Sequence, residues 1–185
     1  MGLAAELGYA YPRPNPLQRL VQTFAAGRLG AWATPWTLVP LDRFTDRLTR
    51  GRVSLPEVLA GLPVLELVTV GARSGLPRPA HVIAVPFQET LALLGTNFGQ
   101  PRTPGWVVNL EHHPAATVAH GGTTRQVVAR PATSDERAAI LLAARAVFAG
   151  TAAYEQRVEG TRRVRVFVLE PAAPNGPSVT TERDG

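Results

Sequence analysis

The apolar positions of this chain change their period near residue 63. From Asn15 to Leu59 they recur at helical spacing. Leu17, Leu20, Val21 and Phe24 share one face, and Leu41, Phe44 and Leu48 share another. Asn15 followed by Pro16 is an N-cap with proline at the first helical position, and Gly27 and Gly30 close that helix. A second helix is expected from about Leu38 to Thr49. A third, short one runs from Ser54 through Leu59, with Gly61 behind it. The residues before Asn15 read as a loosely ordered Gly- and Pro-containing leader.

Beyond Pro63 the pattern is that of strands. Val64 to Val70 is apolar and rich in β-branched residues, and residues 71–77 form a loop. Arg78 to Phe87 is expected as one strand pairing with the first, and Leu91 to Thr96 as the next. A turn follows at Asn97 to Pro101, then a short helix through Leu110 that Thr103 is expected to cap. Ala116 to His120 and Thr123 to Ala132 form a hairpin about Gly121 and Gly122. Ser134, Asp135 and Glu136 open a long helix that turns Ala139, Ile140, Leu142, Ala143 and Val147 inward and stops at Gly150. A short helix from Thr151 to Arg157 precedes the last strand, Arg163 to Glu170. There Val164, Val166 and Val168 alternate with Arg165, Phe167 and Leu169. Six strands with short turns and one long helix make an α+β domain, and six are enough to curl into a small barrel. The expected division is a helical extension over 1–62, the strand-rich domain over 63–171, and a disordered tail over 172–185.

Composition narrows the chemistry. All 19 basic residues are Arg, and there is no Cys. A P-loop lysine, a Schiff-base lysine, disulfides, thiolate metal sites and cysteine nucleophiles are excluded. His81, His112, His113 and His120 lack paired ligand spacing, so no metal is expected, and His112 and His113 sit where imidazoles cap helix carbonyls. No run of 18 apolar residues exists, and the first 16 residues lack a signal-peptide pattern, so the expected compartment is the cytoplasm. The net charge of +5 lies between Arg13 and Arg52, a stretch that also carries Trp32 and Trp36. Such a basic, apolar-striped region can lie on an anionic membrane surface or pack on the barrel or on a second subunit of a homodimer. A nucleic-acid role is not expected.

Three segments carry candidate chemistry. Gly71, Arg73, Ser74, Gly75 and Arg78 combine a glycine-bounded loop, a hydroxyl and two guanidinium forks, a cradle for phosphate or carboxylate. A hairpin turn with two solvated arginines has the same pattern. Thr96 and Asn97 end a strand, and after a Gly/Pro loop the chain enters a helix bearing Trp106. This arrangement suits a flat polar heterocycle, or else buries an indole under the barrel. Phe148, Thr151 and Tyr154 are spaced three apart and can roof a pocket or simply pack a helix end.

Taken in order, Leu67 to Arg78, Thr96 to Gly99, Pro104 to Leu110, His113-Pro114 and Val166 to Pro171 resemble the deazaflavin-dependent nitroreductase family. The likeness runs from about Pro63 to Pro171. It implies a split β-barrel that binds coenzyme F420. By that resemblance Arg73, Ser74, Arg78, Pro79, Ala80, His81, Val82 and Ile83 hold the phosphate and glutamate tail. Leu94, Gly95, Thr96 and Asn97, with Gly105, Trp106, Val107, Val108 and Asn109, surround the deazaflavin. The chain departs from the family where a Trp-Tyr pair is Trp106-Val107 and where a serine near the deazaflavin is Thr96. It departs again where three roof tyrosines are Phe148, Thr151 and Tyr154. The implied activity is an oxidoreductase passing a hydride from reduced F420 to a small apolar acceptor such as a quinone, enone or nitro compound. Phe148, Thr151 and Tyr154 would contact the acceptor, and Tyr154 or solvent would supply the proton. A flavin-using relative and a non-catalytic binder of F420 or lipid-like molecules are the alternatives.

Overall fold

A computed structural model describes residues 2–11, 62–97, 102–147 and 163–172. The elements are α1 (Leu3–Glu6), β1 (Leu65–Val70), β2 (Pro77–Val82), β3 (Ala84–Phe87), β4 (Thr90–Leu94), α2 (Gly105–His112), β5 (Ala115–His120), β6 (Thr123–Pro131), α3 (Ser134–Val147) and β7 (Val166–Pro171). The seven strands form one sheet in the order β2-β1-β5-β6-β7-β4-β3, with antiparallel neighbours throughout.

The expected strand from Arg78 to Phe87 is in fact two. β2 pairs with β1 and β3 pairs with β4, which are opposite ends of the strand order. Only Ile83 separates them, so the two edges of the sheet are held together by the chain itself and the sheet must curl. This is the split barrel. The break has a local cause. Tyr9 Oη accepts a hydrogen bond from the Ala84 N–H (2.8 Å), and Tyr11 Oη donates to the Ala84 carbonyl (2.7 Å). Side chains thus satisfy the backbone groups at the corner, where strand pairing changes partner.

Those tyrosines belong to the segment expected to be loosely ordered. Instead, Leu3, Leu7 and Tyr9 are buried in the barrel core, Glu6 pairs with Arg125 at 2.8 Å, and Tyr9 packs edge-on against His120 with centroids 5.0 Å apart. A Cβ at Gly2 would lie 1.9 Å from the Glu89 carbonyl oxygen, so the segment enters against the β3–β4 turn where no side chain fits. Leu3 and Leu7 are one helical turn apart and find the apolar end of the barrel. Tertiary burial outweighs the weak local preference of a short helix.

The interior is filled from both ends. Leu65, Leu67, Leu91, Leu93, Val118, Val127, Phe167 and Leu169 meet Leu3 and Leu7 of α1 and Val107 and Leu110 of α2. Outside the sheet, Val85, Ala92, Val166 and Val168 pack on Ile140 and Ala144 of α3. β7 therefore alternates as expected but buries both faces. The inward stripe of α3 differs from the one expected: Ala139 is exposed and Leu142 is 70% exposed. Two positions after Ile140, Leu142 points about 200° round the helix. The cap is also shifted. Thr133 rather than Ser134 accepts from the Glu136 N–H (3.3 Å), while the Thr133 N–H donates to Glu136 Oε2 (2.8 Å), a reciprocal capping box. Thr103 does not cap α2, whose N-cap is Pro104 with no side-chain hydrogen bond. The hairpin at Gly121 and Gly122 has φ of 56° and 83°, which only glycine adopts readily. The expected helices between Asn15 and Leu59, the one after Gly150 and most of the tail lie outside the described residues. Among the described residues no helix is long and apolar enough to cross a membrane.

Candidate functional site

Where β1 ends at Val70 the chain reverses through residues 71–76. The Gly71 N–H donates to the Leu76 carbonyl (2.9 Å) and the Gly75 N–H to the Gly71 carbonyl (2.8 Å). Gly75 has φ +67°, and a Cβ on Gly71 would lie 2.5 Å from Ser74 Oγ and 3.3 Å from Arg78 Cγ. Gly71 thus lets Ser74 fold back over the loop, where its Oγ accepts from Arg78 Nη2 (3.3 Å). Arg73, Ser74 and Arg78 are all exposed.

Some described arginines are paired with carboxylates and others, Arg102 and Arg163 among them, are not. Arg125 pairs with Glu6 at 2.8 Å, Arg130 with Glu136 at 2.7 Å, and Arg165 with Glu111 at 2.7 Å. Among the described residues neither Arg73 nor Arg78 has a carboxylate partner. Arg73 and Ser74 on the loop and Arg78 at the start of β2 have the donor groups that a phosphate or carboxylate would use.

Along β2 the side chains divide. Pro77, Pro79 and His81 are exposed, whereas Val82 is buried and Ala80 packs on the barrel core. Two prolines at alternate positions remove N–H donors from one side of this edge strand, which blocks further strand pairing there. Ile83 sits at the barrel corner, half-buried.

The other wall comes from β4 and α2. The Gly95 N–H donates to the Arg165 carbonyl (2.9 Å), and a Cβ on Gly95 would lie 2.8 Å from Val107 Cγ2. The chain leaving β4 therefore lies directly against α2. Val107 is fully buried and Val108 is exposed. Trp106 is half-buried, its ring tilted 62° against Phe167 with centroids 6.2 Å apart. It leans on the core and keeps an accessible face. Asn97, at φ 48°, donates from Nδ2 to the Arg102 carbonyl (2.8 Å), and the Thr96 N–H donates to the Leu94 carbonyl (2.9 Å).

Asn109 joins the two walls. Its Oδ1 accepts from the Ala72 N–H in the loop (3.0 Å), and its Nδ2 donates to Thr69 Oγ1 in β1 (2.9 Å). Thr69 Oγ1 in turn donates to the Arg78 carbonyl (3.3 Å). Thr69 was not singled out from the sequence. The signal was there: it is the polar member of the inward series Leu65, Leu67, Thr69. The structure thus brings the loop, β2, the end of β4 and the start of α2 to one end of the barrel. It turns the Val82 and Val107 side chains into the core. Phe148, Thr151 and Tyr154 lie outside the described residues. His112 Nδ1 lies 2.9 Å from the Val108 carbonyl, the helix-end role expected of it. No metal-binding cluster occurs among the described residues.

The comparisons with known proteins bear on the family and the fold. The sequence model described as F420H(2)-dependent quinone reductase matches residues 42–171. A solved F420-H2 dependent reductase, FDR-A, superposes with a TM-score of 0.53 at 26% identity, over 58% of this chain and 94% of that one. A structure described as a domain-swapped dimer superposes with a TM-score of 0.55 at 24% identity, over 74% of this chain and 98% of that one, and shows the shared fold.

Proposed function

This chain belongs to the F420H2-dependent quinone reductase family, and we propose that it reduces a small, flat, apolar acceptor, a quinone in preference to an enone or a nitro compound. It is an F420-dependent oxidoreductase, and the quinone assignment follows the family's own description. The observation that carries the site assignment is the Gly71 loop bearing Arg73 and Ser74, tied to α2 by Asn109 and flanked by Arg78 of β2, whose Nη2 donates to Ser74 Oγ.

The residues present fit the cofactor. The cradle at Gly71 has no room for a side chain, and its donors are guanidinium and hydroxyl groups suited to a polyanionic tail. Bound reduced F420 supplies the hydride. Arg73, Ser74 and Arg78 hold the phosphate and tail. Gly95, Thr96 and the first turn of α2 face the ring, with the accessible side of Trp106 as an apolar wall. Phe148, Thr151 and Tyr154 are proposed to contact the acceptor, and Tyr154 or solvent would deliver the proton to it. The chemistry needs no nucleophile from the chain. The basic segment from Arg13 to Arg52 is proposed to face an anionic membrane surface or to pack on the barrel or a second copy of the chain.

The test is a fluorescence titration of purified protein with F420, followed by oxidation of reduced F420 with a small quinone, an enone and a nitroarene in parallel. The reading requires saturable F420 binding, weaker binding of flavin mononucleotide, and fastest turnover with the quinone. Equal turnover of all three acceptors would overturn the quinone assignment, and tighter flavin binding would overturn the tail site.

A further inference from the structure

Thr69 is the buried polar residue among the described residues, with no exposed surface. Its neighbours on the inward face of β1 are Leu65 and Leu67, both fully buried, and valine would fill the same volume without a hydroxyl to satisfy. A buried hydroxyl adds little net stability over an apolar group of its shape, because it gives up its bonds to water. Net stability alone therefore does not account for a hydroxyl here, and its partners provide an account.

The Thr69 hydroxyl donates to the Arg78 carbonyl at 3.3 Å and accepts from Asn109 Nδ2 at 2.9 Å. Asn109 Oδ1 accepts from the Ala72 N–H at 3.0 Å, one residue before Arg73. Through their side chains the pair links three elements that carry proposed cofactor contacts: the loop at Ala72, β2 at Arg78, and α2, where Asn109 lies one turn beyond Trp106. We infer that Thr69 and Asn109 are positioning residues that fix the tail-binding loop at a set distance and angle from the ring-facing start of α2. Thr69 is fully buried and does not reach the cofactor, and Asn109, which the resemblance sets beside the ring, has both of its amide atoms committed to the protein. A ligand held at both ends gains from the second contact only while the two subsites keep the right separation. The inference rests on the proposed placement of tail and ring.

The experiment compares two ligands by fluorescence titration: F420, and the ribityl-deazaflavin fragment that lacks phosphate and tail. The ratio of their dissociation constants measures what the tail adds. Thr69→Val keeps the shape and removes the hydroxyl. It should lower that ratio about three- to tenfold, the worth of one or two hydrogen bonds, while fragment affinity stays within about twofold. Asn109→Ala should lower the ratio at least as far, and Thr69→Ser should restore it. A melting scan of each variant separates positioning from stability, because a purely structural bond lowers the melting temperature and leaves the ratio unchanged. An unchanged ratio in Thr69→Val overturns the inference while leaving the tail site intact. A wild-type ratio near one overturns the tail site itself, and the inference with it. Thr69→Val carries the test even if Asn109→Ala does not fold.

Discussion

Gly95 and Val107 are packed so closely that one added methyl at residue 95 would lie 2.8 Å from Val107 Cγ2. This contact sets where the end of β4 meets α2, the two elements that make up one wall of the site. Gly95→Ala should destabilise the protein by about 1–3 kcal/mol, the range for overpacking a core contact. In a Val107→Ala background the same substitution has room and should cost less. Thermal unfolding of the four variants of this cycle measures the coupling, and additive effects would show that the contact is not what fixes the end of β4 against α2.

Trp106 should contribute to both stability and binding, because its ring contacts Phe167 and it remains half-buried. Trp106→Ala should lower the unfolding free energy by less than the about 3–5 kcal/mol of a fully buried aromatic. It should also weaken F420 binding and slow hydride transfer in the folded fraction. Calorimetry and single-turnover kinetics on one sample check both. Normal cofactor binding by a destabilised variant would confine Trp106 to the core.

The hydroxyl of Tyr9 accepts from the Ala84 N–H and lies 2.8 Å from the Pro63 carbonyl, to which it donates. Tyr9→Phe strands these backbone groups at the barrel corner and should cost about 1–3 kcal/mol. Denaturant unfolding measures this. No loss would mean that the corner does not depend on the N-terminal segment.

Arg130 binds Glu136 and Glu170 together, and its hydrogen bond to Glu136 holds that carboxyl down at about 2 from an ordinary value near 4.5. The folded state thus binds the Glu136 proton more weakly than the unfolded chain does. The stabilisation is complete above about pH 4.5 and is lost as pH falls toward about 2. Melting temperature should drop across that window in the wild type, and less in Glu136→Gln. Identical profiles would exclude Glu136 as the source.

Much of this fold was legible because strand alternation and glycine placement are local. The hairpin at Gly121 and Gly122 and the strand at β7 follow directly from residue order. The division at Ile83 was not legible, since nothing in Val82-Ile83-Ala84 marks a break. It depends on Tyr9 and Tyr11, more than seventy residues away in sequence. The N-terminal segment was misjudged for the same reason: its apolar face is short, and only the barrel end gives it a partner. Within the site, the glycines, hydroxyl and arginines at Gly71 suggest an anion cradle by residue type alone, which is why that segment could be singled out before its geometry was placed. The role of Thr69 stayed hidden in an apolar run, because a polar residue with an inward register shows its meaning only once its partners are placed.

The central claim is that F420 binds with its tail on Arg73 and Arg78. A fluorescence titration of F420 into the wild type, Arg73→Ala and Arg78→Ala tests it most directly. Each charge-assisted contact is worth about 1.5–3 kcal/mol, so each substitution should weaken binding roughly ten- to a hundredfold. Melting temperature should be little changed, because neither guanidinium has a carboxylate partner among the described residues. Equal F420 affinity in the wild type and both variants would contradict the account.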